Sequence, residues 1–181
     1  MTTPTADWLR LDQQICFSLN AASRAFGGVY RVILKDLGLT YPQYLVLLVL
    51  WEHGDLPVKD LGGHLRLDSG TLSPLLKRLE AAGLVHRERS TLDERSVRVR
   101  LTEDGTALRE RALEVPRRIA AATGFDVDEI RDLRTRLDDL TTALDEAARH
   151  PDRTPPPHHA QEPRGSQGTQ HPADPADAAG A

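Results

Sequence analysis

The sequence predicts a mainly α-helical protein with a small β-hairpin, and three observations lead to this class. A helical segment from about Ser69 has leucines on one face and polar residues on the other. Two short strand patterns follow at residues 84–89 and 96–101, the second with alternating apolar and polar residues. A new helix starts directly after the second strand. This order is that of a winged helix-turn-helix, which places one helix in the major groove of DNA.

The first helix is predicted over residues 8–36, and a second one follows to about residue 52. Gly27 and Gly28 each cost about 1 kcal/mol relative to alanine inside a helix, so we expect a kink or local fraying there. Gly38 suits the end of the first helix, and Pro42 suits the first turn of the second. The apolar residues that define the first helix recur every three or four positions: Trp8, Leu11, Ile15, Leu19, Ala22, Phe26, Val29, Ile33 and Leu37.

The predicted DNA-reading region begins with a short helix at residues 58–65. Asp68 is a good N-cap for the next helix, which runs to Ala82 and is terminated by Gly83. The residues expected to form the buried stripe of this helix are Leu72, Leu76 and Leu79.

Two helical segments are predicted after the hairpin. Thr102 caps the first, Glu103 and Asp104 suit its positive end, and Pro116 should bend it. The last helix begins near Asp126, and its apolar residues form a narrow heptad seam. We favour dimerisation through this seam over packing on the chain's own helices, because the seam is narrow. The seam consists of Ile130, Leu133, Leu137, Leu140, Leu144 and Ala147.

Composition and charge restrict the compartment and the ligands. The 181 residues carry a formal net charge of −4, but the stretch from Lys59 to Arg100 holds nine Lys and Arg against six Asp and Glu, a net +3. Positive charge is therefore concentrated in the predicted DNA-reading region. The single cysteine, Cys16, excludes an intrachain disulfide and fits a reducing cytoplasm. There is no apolar signal region, and the longest apolar run, residues 44–51, is too short to span a bilayer. We expect a cytoplasmic protein with no membrane partner.

The composition changes after residue 150. Residues 151–181 contain seven prolines and no Val, Ile, Leu, Met, Phe, Trp or Tyr, so burial cannot offset the entropy of ordering them. The expected organisation is a flexible N-terminus at 1–7, a domain at 8–149 and a disordered Pro-rich tail at 150–181. Within the domain, we expect a helical dimerisation region at 8–39 and 103–149 and the winged helix-turn-helix at 40–102.

The helix from Ser69 presents a candidate DNA-reading face opposite its leucines. Glycine and small hydroxyl side chains allow close approach to base edges, while Lys77 and Arg78 can neutralise phosphates. Pro74 removes a backbone donor, but its ring can touch a thymine methyl. An ordinary solvated helix face would show similar residues. The candidate contacts are Ser69, Gly70, Thr71, Ser73, Pro74, Lys77 and Arg78.

The loop at residues 90–95 is the candidate wing tip. Arg95 in this loop can enter the narrow minor groove, where the negative potential is strongest. Arg87 and Arg89 precede the loop and are further candidate DNA contacts.

Several segments carry a resemblance to a known family. With the Asp68 cap, RLEAAGLV at 78–85 and DER at 93–95, the order of elements resembles the MarR family of dimeric winged-helix regulators. The segments QQICFSLNAASRA at 13–25, TYPQYLVLLVLWEH at 40–53 and LDSGTLSPLLKRLE at 67–80 look like the one-cysteine organic hydroperoxide resistance regulators. The resemblance implies a homodimeric repressor on double-stranded operator DNA whose effector, an organic hydroperoxide, oxidises a reactive N-terminal cysteine.

Cys16 occupies the place of that cysteine. A lone helical cysteine is more often an inert buried residue, and the resemblance reverses this expectation. It also implies that Tyr30 and Tyr41 hydrogen-bond the sulfur, which would favour the thiolate and strengthen the nucleophile. Cys16 and Tyr30 are fourteen residues apart. On one straight helix this is about 21 Å, so their contact requires a second subunit.

The oxidised form of Cys16 has no second cysteine to resolve it. Oxidation must end as sulfenic acid, as overoxidation, or as a mixed disulfide with a low-molecular-weight thiol. Some members of the family have another tyrosine one turn after the cysteine, where this chain has Asn20.

Two other functions stay open. A MarR-like repressor released by a small-molecule ligand would use Cys16 only structurally. A thiol peroxidase is the weaker alternative, because no arginine- or histidine-bearing catalytic motif accompanies Cys16, so we expect no enzyme. We also expect no cofactor and no metal, since isolated tail histidines are more often solvated: His158, His159 and His171.

Overall fold

The computed structural model describes residues 9–89 and 96–151. The predictions for the first eight residues, for the wing tip with Arg95 and for the tail from residue 152 lie outside the described residues. The described part contains seven α-helices and three strands: α1 Ile15–Ile33, α2 Tyr41–His53, β1 Leu56–Pro57, α3 Val58–Leu65, α4 Ser69–Ala81, β2 Val85–Arg89, β3 Val97–Leu101, α5 Glu103–Ala112, α6 Glu114–Thr123 and α7 Val127–Arg149. The predicted class, mainly helical with a small hairpin, is confirmed.

Helix α1 differs from its prediction at two places. It starts at Ile15 rather than at residue 8, after a 3-10 turn at Leu11–Gln13 and the extended backbone of Gln14. It then runs through Gly27 and Gly28 as one continuous α-helix, so the local fraying expected there is wrong. The face that follows the glycines packs on the core and offsets their cost to the helix.

The ends of the other helices follow their predicted signals. Gly38, at a φ of 67°, ends the 3-10 turn that extends α1. Pro42 lies in the first turn of α2, and Asp68 caps α4 by accepting a hydrogen bond from the Thr71 amide at 2.9 Å. Thr102 caps α5 by accepting from the Gly105 amide at 3.0 Å.

Pro116 interrupts the helical segment that follows the hairpin, as predicted. The segment divides at Leu113 into α5 and α6, three residues before the proline. A proline has no backbone N–H and its ring meets the carbonyl four residues earlier, here that of Ala112. The helix therefore breaks directly after Ala112, the residue whose carbonyl the proline ring would meet.

The sheet has the strand order β1-β3-β2 and is antiparallel throughout. Strands β2 and β3 form the predicted hairpin, with Val85 opposite Leu101 and Arg89 opposite Val97. Strand β1, which the sequence did not predict, pairs Leu56 with Val99. Two residues are too few to show an alternating pattern, and a proline is tolerated there because β1 is an edge strand.

The core lies between the helices and one face of the sheet. The predicted stripe of α4 is buried, and Leu75 joins it. The largest fully buried side chains are Leu34, Leu47, Leu50, Leu61, Leu72, Leu76, Leu79, Val46, Val85 and Val99.

The described residues divide into two compact units with their boundary inside α7, after Leu133. In the second unit, Leu137 and Leu144 of the predicted seam are exposed. Within the described ranges no single helix is long and apolar enough to cross a membrane. The segments Ile15–Leu37 and Tyr41–His53 reach that length and composition only as a pair, bent by 68° at the break between them.

Candidate functional site

Helix α4 exposes all seven residues of the predicted DNA-reading face. The opposite face is anchored by buried leucines, so the helix has a fixed orientation on the core. The Ser73 hydroxyl donates to the Ser69 carbonyl at 2.7 Å, and the Thr71 hydroxyl donates to the Asp68 carboxylate at 3.0 Å. Hydrogen bonds from the Thr71 amide and hydroxyl hold the pKa of Asp68 below its usual value. The first turn is therefore ordered before any ligand arrives. The exposed residues are Ser69, Gly70, Thr71, Ser73, Pro74, Lys77 and Arg78.

A groove of about 410 Å³ runs beside this face, between α3, α4 and the sheet. Ser69 and Ser73 line it from α4, and Lys59 lines it from α3. The sequence analysis did not single out Lys59, whose only signal was its place at the start of the basic stretch. The groove adds a cation to the predicted surface.

Arg87 is paired within the protein, although its side chain stays partly exposed and lines the groove beside α4. Its Nε and Nη2 atoms donate to Glu80 Oε2 at 2.9 and 2.6 Å, and its backbone amide donates to Oε1 at 3.1 Å. Glu80 lies near the end of α4 and Arg87 in β2, and both side chains are about one-third exposed. Hydrogen bonds and the charge of Arg87 lower the pKa of Glu80. The pair ties the strand leading to the wing to helix α4.

The other described arginines of the hairpin differ in their surroundings. Arg98 donates to the Asp55 carbonyl at 2.7 Å, and Arg100 lies 3.8 Å from Glu88 across the strands. Arg89 is exposed at the end of β2. Of the predicted wing contacts that the structure describes, Arg89 is the one placed on the open surface.

The Glu80–Arg87 pair predicts that removing either partner weakens DNA binding by a similar factor. If this surface binds DNA, Glu80→Gln and Arg87→Ala should each weaken that binding by roughly threefold to tenfold without changing its salt dependence, because each loosens β2 from α4. Since the folded pKa of Glu80 is lowered, its contribution to stability is present above the pKa of an unfolded glutamate and is lost as the pH falls through the folded value. Urea unfolding measured between pH 7 and pH 3 should show that the difference in unfolding free energy between wild type and Glu80→Gln shrinks as the pH falls.

Glu110→Gln, at an exposed position on α5, is the control for that experiment. A salt slope that falls by about one in Arg87→Ala and stays constant in Glu80→Gln would instead make Arg87 a phosphate contact.

Cys16 lies in the first turn of α1, and its side chain is exposed. Tyr30 is on the same uninterrupted helix, so the fold does not bring these two residues of one chain together. The structure does bring Tyr30 and Tyr41 together, with ring centroids 4.3 Å apart. The predicted thiol site is therefore divided along the chain, with the sulfur at one end of α1 and the tyrosines at the other.

The tyrosine pair belongs to a larger aromatic cluster: Tyr30, Tyr41, Tyr44 and Trp51. Tyr44 is buried, and its ring centroid lies 6.1 Å from that of Tyr30 and 6.3 Å from that of Trp51. Burial, with a smaller effect of the other tyrosines, raises the pKa of Tyr30 to about 12 and also raises that of Tyr44. Their hydroxyls therefore stay protonated at neutral pH and can act as donors. Tyr44 and Trp51 were not predicted as site residues, although the spacing of 41, 44 and 51 on one helix was a usable signal.

A mainly apolar, open groove of about 400 Å³ lies between α2, α5 and α6. Tyr44 and Trp51 line it together with Leu113 and Pro116, and Arg109 and Glu52 contribute opposite charges.

Comparisons with known proteins agree with this architecture. A family model described as Transcriptional regulator SarA/Rot matches residues 28–111. The organic hydroperoxide resistance transcriptional regulator of Bacillus subtilis (strain 168) is 46% identical over 138 residues, which are 76% of this chain and 94% of that protein. The HTH-type transcriptional regulator TtmR of Methylorubrum extorquens (strain PA1) is 52% identical over 136 residues, 75% of this chain and 68% of that protein.

Among solved structures, reduced AbfR bound to DNA superposes with a TM-score of 0.70 at 37% identity. The match covers 78% of this chain and 97% of AbfR. The relatives found by sequence are named as transcriptional regulators, in agreement with the prediction of a regulator rather than an enzyme.

Proposed function

Because the chain belongs to the MarR family of DNA-binding winged-helix transcriptional regulators, we propose that it is a repressor that releases its operator when an organic hydroperoxide oxidises Cys16. The observation that carries this proposal is an exposed thiol, the only one in the chain, in the first turn of α1. The chain that carries this thiol is 46% identical to a regulator named for organic hydroperoxide resistance. The tyrosine pair at the far end of α1 supplies the hydroxyl donors that the site needs.

Operator binding is assigned to the exposed face of α4 and to the wing. Helix α4 would enter the major groove with its small residues against the bases and Lys77 and Arg78 near phosphates. Arg89 and Arg95 would follow the backbone into the minor groove. The structure of reduced AbfR bound to DNA, a relative of the same fold, supports DNA binding in the reduced state.

The acting unit is proposed to be a homodimer, with residues 8–39 and 103–149 as its dimerisation region and residues 40–102 as the DNA-binding region. A single chain leaves apolar side chains of α1 exposed, among them Ile15 at 65% and Val32 at 67%. A second copy would cover them and would bring its own Cys16 to Tyr30 and Tyr41. Two α4 helices could then reach half-sites about one DNA turn apart.

The chemistry is a two-electron oxidation of sulfur. The Cys16 thiolate attacks the terminal oxygen of the hydroperoxide, an S–O bond forms, and the O–O bond breaks. The alkoxide leaves and takes up a proton to become an alcohol, while the sulfur becomes a sulfenic acid. A low-molecular-weight thiol then attacks that sulfur, and the S–O bond is replaced by an S–S bond with release of water.

Release requires more than the loss of one hydrogen bond. A change from mostly bound to mostly released takes about 5.5 kcal/mol of differential stabilisation. One hydrogen bond between a tyrosine and the sulfur contributes about 1 kcal/mol net. A mixed disulfide adds bulk that a close-packed site cannot accept, so we propose that the small thiol completes the release.

The test is operator binding measured by fluorescence anisotropy on reduced protein, with cumene hydroperoxide alone and with cumene hydroperoxide plus a small thiol. Intact-mass spectrometry of the same samples should show one added oxygen and then one added thiol per chain. Light scattering should show a dimer before treatment. Tight operator binding that persists when every chain carries the mixed disulfide contradicts the proposal.

A ligand-released repressor is the second candidate, and the apolar groove beside Tyr44 and Trp51 favours it. In that case a small organic molecule should release DNA from reduced protein, and peroxide should have no effect.

Lys77 provides a test of the docking surface. Lys77→Ala should weaken binding equally on operator and unrelated DNA, because a phosphate contact carries no sequence information. The slope of log affinity against log salt should fall by about one for each bound subunit. Lys35→Ala, an exposed lysine outside α4, is the matched control and should keep the wild-type slope. An unchanged slope for Lys77→Ala would exclude this face from the interface.

A further inference from the structure

We infer that Trp51 is a positioning residue that couples the tyrosine pair of the thiol site to the base of the wing. The inference rests on the proposed function, in which oxidation at Cys16 disturbs Tyr30 and Tyr41. It assigns the transmission of that disturbance to one indole ring and its hydrogen bond.

The first part of the path is a series of ring contacts. Tyr30 and Tyr41 are 4.3 Å apart, and Tyr30 also contacts Tyr44 at 6.1 Å. Tyr44 meets Trp51 in an edge-to-face arrangement at 6.3 Å and 67°. Tyr44 is only 3% exposed and packs against both Tyr30 and Trp51, while part of it borders the apolar groove between α2, α5 and α6. A shift of the tyrosine pair therefore reaches the indole.

The second part of the path is a hydrogen bond to a distant segment. The indole N–H of Trp51 donates to the Gly105 carbonyl at 2.9 Å, joining α2 to the first turn of α5. The contact is part-buried and spans 54 positions of the chain. The indole N–H is a donor only, so a displaced indole loses this bond unless Gly105 follows it.

Gly105 is in turn packed against the turn that ends α4. A Cβ added there would lie 2.0 Å from the Leu84 carbonyl oxygen, so the two backbones are in direct contact. The Thr102 amide donates to the Leu84 carbonyl at 3.1 Å, and the Thr102 hydroxyl donates to the Gly83 carbonyl at 2.6 Å. The start of α5, the end of α4 and the first residue before β2 are thus held as one body. A movement of Gly105 therefore bears directly on the end of α4 and on the start of β2.

No other described side chain of α2 makes a hydrogen bond to α5. Replacing Trp51 by phenylalanine keeps an aromatic ring beside Tyr44 and removes the donor. A merely structural role would change operator affinity by the same factor before and after oxidation. A coupling role changes the ratio of the two affinities.

The experiment compares full-length wild type and Trp51→Phe on operator DNA, each reduced and each treated with cumene hydroperoxide and a small thiol. The ratio of reduced to oxidised affinity should be about fivefold smaller in Trp51→Phe, the factor expected of one net hydrogen bond. An unchanged ratio overturns the inference while leaving the proposed function intact. Wild type that fails to release DNA overturns the proposed function and the inference with it.

A second measurement covers the case in which Trp51→Phe does not fold. The chain has two tryptophans, Trp8 and Trp51, so Trp8→Phe makes Trp51 the sole indole. Its fluorescence should shift on oxidation in this variant and stay constant in the Trp8→Phe, Cys16→Ser double variant. Constant emission while the oxidised Trp8→Phe protein releases DNA overturns the inference.

Discussion

Cys16→Ser is expected to bind operator DNA like the reduced wild-type protein and to remain bound after peroxide treatment. The hydroxyl preserves the size of the side chain in the first turn of α1 and cannot be oxidised to a sulfenic acid. If oxidation moves the wild-type population from mostly competent to mostly incompetent, the apparent operator affinity falls about a hundredfold. In the serine variant the ratio of operator affinity before and after oxidation should be near one, against about a hundred in wild type. This is the largest effect on regulation that we expect from any single substitution in this chain.

Anisotropy titrations on reduced protein and on protein treated with cumene hydroperoxide and a small thiol measure both ratios. The matched control is Cys16→Ser combined with Ser18→Cys, which moves the thiol by two positions to another exposed site on α1. Two positions correspond to about 200° around a helix, so the displaced thiol faces away from the original site. It should be oxidised in solution without releasing DNA. Peroxide-dependent release by Cys16→Ser itself would transfer the proposal to the ligand-controlled alternative.

Gly105→Ala should destabilise the fold more than any other glycine substitution in the described helices. The added Cβ would lie 2.0 Å from the oxygen and 3.0 Å from the carbon of the Leu84 carbonyl, both of which are backbone atoms. A flexible side chain could move away, but this carbonyl also accepts the Thr102 amide. The clash must therefore separate α5 from the end of α4. We expect the free energy of unfolding to fall by about 3 kcal/mol or more.

Urea unfolding monitored by circular dichroism gives the change in midpoint and slope. Gly63→Ala is the matched control, because nothing lies within 4 Å of a Cβ added at that helical glycine. At that position alanine should raise the free energy of unfolding by about 1 kcal/mol, because its helix propensity is higher than that of glycine. Equal stabilities for Gly105→Ala and wild type would show that α5 is not packed against Leu84 in solution.

Local signals determined most of the secondary structure. The caps at Asp68 and Thr102 and the stop at Gly38 are in the structure where the sequence predicts them, because each acts within about four residues along the chain. The break next to Pro116 is equally local. The same type of argument failed for the two glycines of α1, whose propensity cost is small beside the packing of the helix on the core.

The sequence by itself therefore determined the class, the order of the helices and of the two hairpin strands, the exposed face of α4 and the position of the only thiol. The tertiary structure decided which side chains are available and which act together. It engages Arg87 with Glu80, pairs β1 with β3, and gathers Tyr30, Tyr41, Tyr44 and Trp51 into one cluster. The physical reason is distance along the chain. A cap or an apolar stripe is formed by neighbours in sequence, whereas the bond from Trp51 to Gly105 joins residues 54 positions apart and exists only after the helices have packed.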